Sequence, residues 1–244
     1  MRRSPGWLGL ALAVAALAVA LAVALQSGCR SSNEETATGV RIVQVFARGA
    51  DSSSPLVVWL HGRGGRPERF ESFWRDFPGR IEVALPQGFT ASGFGYAWFD
   101  WPPGITDEDL AEAVSASEER LWRALLETAH GRKMIVGGFS QGGVLAFLLA
   151  ARHPDAIRYA FPVAGLLPTP LLPSGHAPRA PVFAMHGTAD DVIGVDYARA
   201  AVAAFKKDGA VAELRELRGV GHTFTSEMRE ELVTRIRALI DAKP

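Results

Sequence analysis

Ser140 lies in the string GFSQGG, between the apolar run 133–139 and the helix-like run 144–150. A strand that ends on a serine, turns sharply and continues as a helix leaves few folds open. Such a turn holds the serine in a strained backbone conformation, and only glycines leave room beside it. Gly138, Gly142 and Gly143 supply that room. The hydroxyl is then exposed above the sheet with a helix N-terminus behind it, as a nucleophile requires. The string alone is equally a plain tight strand-to-helix turn, so the case for chemistry rests on what surrounds it.

From residue 40 onward, short β-rich runs alternate with longer helical patterns. That alternation predicts an α/β fold with a mostly parallel central sheet and helices on both faces. Strands are expected at 40–47, 55–60, 81–85, 133–139, 157–164, 181–186 and 211–217. Several are continuous Val/Ile/Leu/Phe runs, which implies burial on both faces. Helices are expected at 67–77, 107–130, 140–152, 196–208 and 226–241, with Asp107 and Ser226 as N-terminal caps. The proline-rich stretch 162–181 reads as a connection between two strands that contributes to the rim of a site. At 244 residues the chain has room for one catalytic domain, 40–244, plus a targeting segment.

A serine hydroxyl is a poor nucleophile at neutral pH, so Ser140 requires a base and a carboxylate that orients it. Asp190 follows the run PVFAM, and His222 follows AELRELR, so nucleophile, acid and base occur in the chain order Ser, Asp, His. Each stands at the carboxyl end of an expected strand, the edge where open α/β sheets bind ligands. Asp191 is the competing acid. His61 and His186 each precede a glycine at a strand end and are expected to hold loops through backbone hydrogen bonds. His130, His153 and His176 are expected on the surface. The loop LHGRGG at 60–65 follows the run PLVVWL and is positioned to offer a backbone amide, Arg63, to an oxyanion, with Gln141 as the second donor. The loop lacks the Lys-Ser/Thr of a phosphate-binding P-loop and the G-x-G-x-x-G spacing of a dinucleotide site.

Residues 7–25 carry no charge and follow Arg2 and Arg3, the pattern of an export signal. The single cysteine, Cys29, comes directly after, in LQSGC, which resembles a bacterial lipoprotein processing site with its aliphatic residue displaced by one position. Export followed by lipid anchoring at Cys29 is the expectation, with residues 1–28 as signal peptide. An uncleaved signal anchor and a chance thiol are the alternatives. Residues 29–39 are expected to be a flexible tether, since RSSNEETATG has no apolar face to bury. Lys plus Arg and Asp plus Glu both number 26, so no net field attracts nucleic acid.

Taken together, LHGRGG, WFD at 98–100, GFSQGG, HGTADD and GVGH resemble the phospholipase/carboxylesterase family of α/β-hydrolases, which includes acyl-protein thioesterases and small bacterial carboxylesterases. The resemblance implies a Ser140–Asp190–His222 triad, oxyanion donors on Arg63 and Gln141, and no metal or organic cofactor. It also implies a substrate groove walled by Trp98 and Phe99, two aromatics that serve equally as core. The export signal departs from family members that work in the cytosol. A carboxylesterase for short to medium acyl esters is the leading expectation, with the Gly- and aromatic-rich segment 86–101 as an acyl or aryl pocket. The alternatives are a secreted feruloyl-esterase-like or polyester-depolymerase-like enzyme, and an envelope binding protein that keeps the fold without the chemistry.

Overall fold

The computed structural model describes residues 30–47, 49–175 and 177–242. An eight-stranded sheet forms its centre among these residues, in the order β1-β2-β4-β3-β7-β8-β9-β10. The strands are β1 (Arg30–Glu35), β2 (Arg41–Phe46), β3 (Leu56–Leu60), β4 (Glu82–Pro86), β7 (Met134–Phe139), β8 (Ile157–Val163), β9 (Val182–Gly187) and β10 (Ala212–Leu217). Neighbours from β4 to β10 pair in parallel, whereas β2 runs antiparallel to both β1 and β4. A separate hairpin joins β5 (Thr90–Ser92) to β6 (Gly95–Ala97).

The central strands are buried along their length because both sheet faces are covered. Every residue of β3 (LVVWL) and β4 (EVALP) is inaccessible to solvent. On one face Leu56, Val58, Val136 and Leu60 pack with residues of α2 (Asp107–Ala129), α3 (Gln141–Arg152) and α4 (Val195–Lys207). On the other, Val57, Trp59, Val83 and Ile135 pack against Trp74 of α1 (Glu71–Arg75) and Met228, Leu232 and Ile236 of α5 (Ser226–Asp241). A 3-10 turn, Pro67–Phe70, precedes α1, so the single helix expected at 67–77 is two shorter pieces.

The structure corrects two further expectations. Residues 30–35 are an edge strand rather than part of a flexible tether at 29–39, so regular structure precedes Val40. A strand at the sheet edge needs no apolar face when its side chains find polar partners. Arg41 donates to Asn33 Oδ1 at 2.8 Å and Gln44 to Glu34 Oε2 at 2.9 Å. The helix caps sit one residue earlier than expected. Thr106 Oγ1 accepts from the Asp109 amide at 3.1 Å, and Thr225 Oγ1 from the Met228 amide at 3.2 Å. A threonine cap is typically worth about 1 kcal/mol. Pro162 lies within β8, inside the strand expected at 157–164. Residues 1–29, including Cys29, and His176 lie outside the described residues. Among those described, no helix is long and apolar enough to cross a membrane.

Candidate active site

The turn between β7 and α3 carries Ser140 at φ 56° and ψ −119°, a conformation that a non-glycine residue adopts only under strain, at a cost of about 1–3 kcal/mol. The surroundings hold it there. The Ser140 amide donates to Val163 O at 2.9 Å, and its carbonyl accepts from the Val144 amide at 3.0 Å. The three glycines are spacing devices, as expected. A methyl on Gly142 would lie 2.1 Å from Leu60 O, one on Gly143 2.6 Å from Val163 O, and one on Gly138 2.5 Å from the Gly142 backbone. Larger residues at any of these positions would force the serine away from the sheet edge.

Asp190 and His222 are carried by two loops stitched to each other. The Thr188 amide donates to Leu217 O and the Ala189 amide to Val220 O, both at 2.9 Å, while Thr188 Oγ1 accepts from the Gly219 amide at 2.9 Å. Gly187 permits this approach, since a Cβ there would stand 2.1 Å from Val220 O. The result places His222 Nδ1 2.8 Å from Asp190 Oδ2, and His222 Nε2 2.9 Å from Ser140 Oγ. A carboxylate only accepts, so Nδ1 carries the proton and Nε2 is free to receive one from Ser140.

The Asp190 side chain is fully buried, and its Oδ1 accepts from the amides of Val192 at 3.0 Å and Ile193 at 2.8 Å. Burial pushes the carboxyl up, but the Ile193 amide, His222 and the Val192 amide outweigh it and hold Asp190 below the ordinary carboxylate value. Asp190 is therefore ionised at neutral pH. Asp191 is exposed, on the solvent side of the same turn.

Arg63 and Gln141 both line the cavity that opens on Ser140. Among the described residues neither backbone amide donates to a protein acceptor, which leaves both for an oxyanion. The Gln141 side chain is buried and does a second job: its Oε1 accepts from the Trp98 amide at 3.0 Å, and its Nε2 donates to Phe99 O at 2.8 Å. His61 holds the loop that carries Arg63. Its Nε2 accepts from the Gly88 amide at 3.0 Å, its Nδ1 donates to Gly62 O at 2.7 Å, and its own carbonyl accepts from Trp98 Nε1 at 2.7 Å. Burial lowers the His61 pKa against the opposing pull of the Gly62 carbonyl, which keeps the ring neutral in this role.

The cavity encloses about 610 Å³ and is walled largely by Trp101, Pro102, Pro103, Ile105, Phe139, Val192 and Ile193. Trp98 and Phe99 are not among its walls. They are 2% and 5% exposed and belong to the core, because Gln141 and His61 tie their backbone and indole inward. Of the segment 86–101, only Trp101 reaches the cavity, and none of the described residues of the proline-rich stretch lines it. His153 departs from expectation. It stacks on Trp122 at 3.7 Å between centroids and lies 2.6 Å from the buried Glu118, so it is part of an α2–α3 clamp rather than a solvated residue. His186, fully buried, holds the following turn through Ile193 O at 2.7 Å, as expected, and its Nε2 also lies 3.2 Å from Asp190 Oδ2.

A model of the phospholipase/carboxylesterase family matches residues 43–240. Among curated proteins, carboxylesterase SOBER1 of Arabidopsis thaliana is 22% identical over 193 residues, 70% of this chain and 85% of that one. NocK of Nocardia uniformis subsp. tsuyamanensis, named as an esterase, is 30% identical over 151 residues, 56% of this chain, but the match spans only 40% of NocK. The crystal structure of Zea mays acyl-protein thioesterase 2 superposes with a TM-score of 0.65 at 23% identity, covering 82% of this chain and 99% of that one. That likeness shows the α/β-hydrolase fold.

Proposed function

Since the chain belongs to the phospholipase/carboxylesterase family, we propose that it is a serine carboxylesterase acting on short to medium acyl esters through an acyl-enzyme on Ser140. The observation that supports this most is the unbroken line Asp190–His222–Ser140, with contacts of 2.8 and 2.9 Å, at the floor of an apolar cavity. In this reading Ser140 Oγ attacks the ester carbonyl as His222 Nε2 takes its proton. The oxyanion of the tetrahedral intermediate receives the Arg63 and Gln141 amides, an interaction typically worth about 3 kcal/mol per donor. Collapse breaks the ester C–O bond, and His222 returns the proton to the departing alcohol. Water then attacks the acyl-enzyme with His222 again as base, which releases the acid and restores Ser140.

A cavity of this size fits the range of about 300–1,000 Å³ typical of small-molecule sites, and its walls are apolar where an acyl chain would lie. Turnover of p-nitrophenyl esters from acetyl to palmitoyl is expected to peak at short to medium chains. A maximum at long chains would overturn the chain-length assignment, and a preference for feruloyl esters would assign the aryl-ester reading instead. Absence of both hydrolysis and fluorophosphonate labelling would make the protein a binding module.

The proposal extends to location. The enzyme is exported through residues 1–28, cleaved there, and held to a bacterial membrane by lipid on Cys29, which leaves the catalytic domain outside the cytoplasm. The uncharged run 7–25 behind Arg2 and Arg3 and the placement of the sole cysteine support this. Mass spectrometry of the protein from a membrane fraction is expected to find a diacylated Cys29 at the N-terminus. A free thiol behind an intact leader would rule the anchor out.

A further inference from the structure

His186 is the penultimate residue of β9, one before the glycine that seats the base loop, and it is 1% exposed. Its Nε2 lies 2.7 Å from Ile193 O and 3.2 Å from Asp190 Oδ2. Ile193 O can only accept, so Nε2 carries a proton and donates it to that carbonyl, while the same nitrogen stands close to the carboxylate. Asp190 Oδ2 thus stands between two histidines, His222 on the solvent side and His186 on the core side, while Oδ1 is filled by two backbone amides. The carboxylate is flanked on both sides, and the turn 190–193 closes on itself through the bond from His186 to Ile193 O.

We infer that His186 is a positioning residue of the triad, which fixes the Asp190 carboxylate from behind and limits its pull on the proton of His222; this rests on the esterase reading of the same site. A protonated ring nitrogen 3.2 Å from Oδ2, on the side away from His222, stabilises negative charge on that oxygen. With the donor gone, the carboxylate becomes more basic and holds the protonated form of His222 more strongly. The acid limb of kcat/KM then moves to higher pH. The other charged groups near His186 are Glu216, its partner in the β9–β10 register, and Arg199 and Asp196 of α4, which bind one another at the surface. None of these lies between His186 and the site.

His186→Met removes the donor and keeps the bulk, whereas His186→Gln returns an amide N–H near the Nε2 position. His186→Met is expected to lower kcat by roughly 10-fold, the scale of one hydrogen bond to a charged group, with KM little changed. It is also expected to move the acid limb upward, and His186→Gln to recover most of both effects. In an Asp190→Asn background the Met substitution is expected to cost almost nothing more, because its target is gone. A residue that merely fills space would give additive losses and an unmoved pH limb, and that result would overturn the inference.

A second readout does not depend on turnover: the low-field proton of His222 Nδ1, observed by NMR, is expected to shift in folded His186→Met protein and to shift less in His186→Gln. An unchanged resonance would also overturn the inference. Should Met at 186 prevent folding, the tautomer of His186 in the unaltered protein decides, with Nε2–H expected and Nδ1–H fatal to the idea. An esterase that needs Ser140 but ignores His186 loses only this inference. A protein that neither hydrolyses esters nor labels at Ser140 loses the esterase reading, and the NMR result still judges the contact.

Discussion

Replacing Ser140 with alanine is expected to lower kcat/KM on the best p-nitrophenyl ester by about 10⁶-fold, the loss seen when the nucleophile of a serine hydrolase is removed. The folded state is expected to persist. Ser140 is held by backbone bonds to Val163 and Val144 and by close glycine packing, none of which involves its hydroxyl. Alanine at φ 56° carries the same strain as serine, so the melting temperature should move little. Steady-state kinetics beside a thermal melt decide the matter. Activity within tenfold of the unaltered protein would mean that another group performs the attack and that the 2.9 Å contact with His222 has no chemical role.

Asp190→Asn and Asp191→Asn are expected to separate by orders of magnitude. At 190, the amide presents an N–H where His222 Nδ1 needs an acceptor. The imidazole then adopts the tautomer that cannot take a proton from Ser140, and kcat falls by about 10⁴. At 191 the exposed side chain is replaced by its neutral isostere, with an effect within about twofold, the range of ordinary surface substitutions. Single-turnover rates of acylation measure the difference directly. Comparable losses at both positions would remove Asp190 from the orienting role.

Much of this was legible in the primary structure, for physical reasons that differ by element. The central strands announce themselves because a strand buried on both faces, such as LVVWL, has no polar side to show. The candidate site was legible because its arrangement demands rare local features: glycines around Ser140, and Asp190 and His222 at the ends of successive strands. What escaped was whatever depends on tertiary context. β1 is polar because an edge strand can satisfy itself with solvent and its neighbour's side chains, which makes RSSNEE look like linker. Trp98 and Phe99 are aromatic residues near a site, and only the tertiary structure shows Gln141 drawing their backbone inward. Trp101, three residues further on, occupies the wall assigned to them.

The 187–190 loop is stitched to the 217–222 loop by two main-chain hydrogen bonds and one from the Gly219 amide to Thr188 Oγ1, and none of the bonded residues lines the cavity. In the esterase reading the loops that carry Asp190 and His222 are therefore held by contacts an ester does not make, which leaves induced fit little to assemble on this side of the site. A small ester, with few contacts to offer, meets the same poised base as a larger one. What a longer acyl group adds is confined to holding its own carbonyl against Ser140, so differences among substrates report the shape of the cavity and leave the relay out of the comparison.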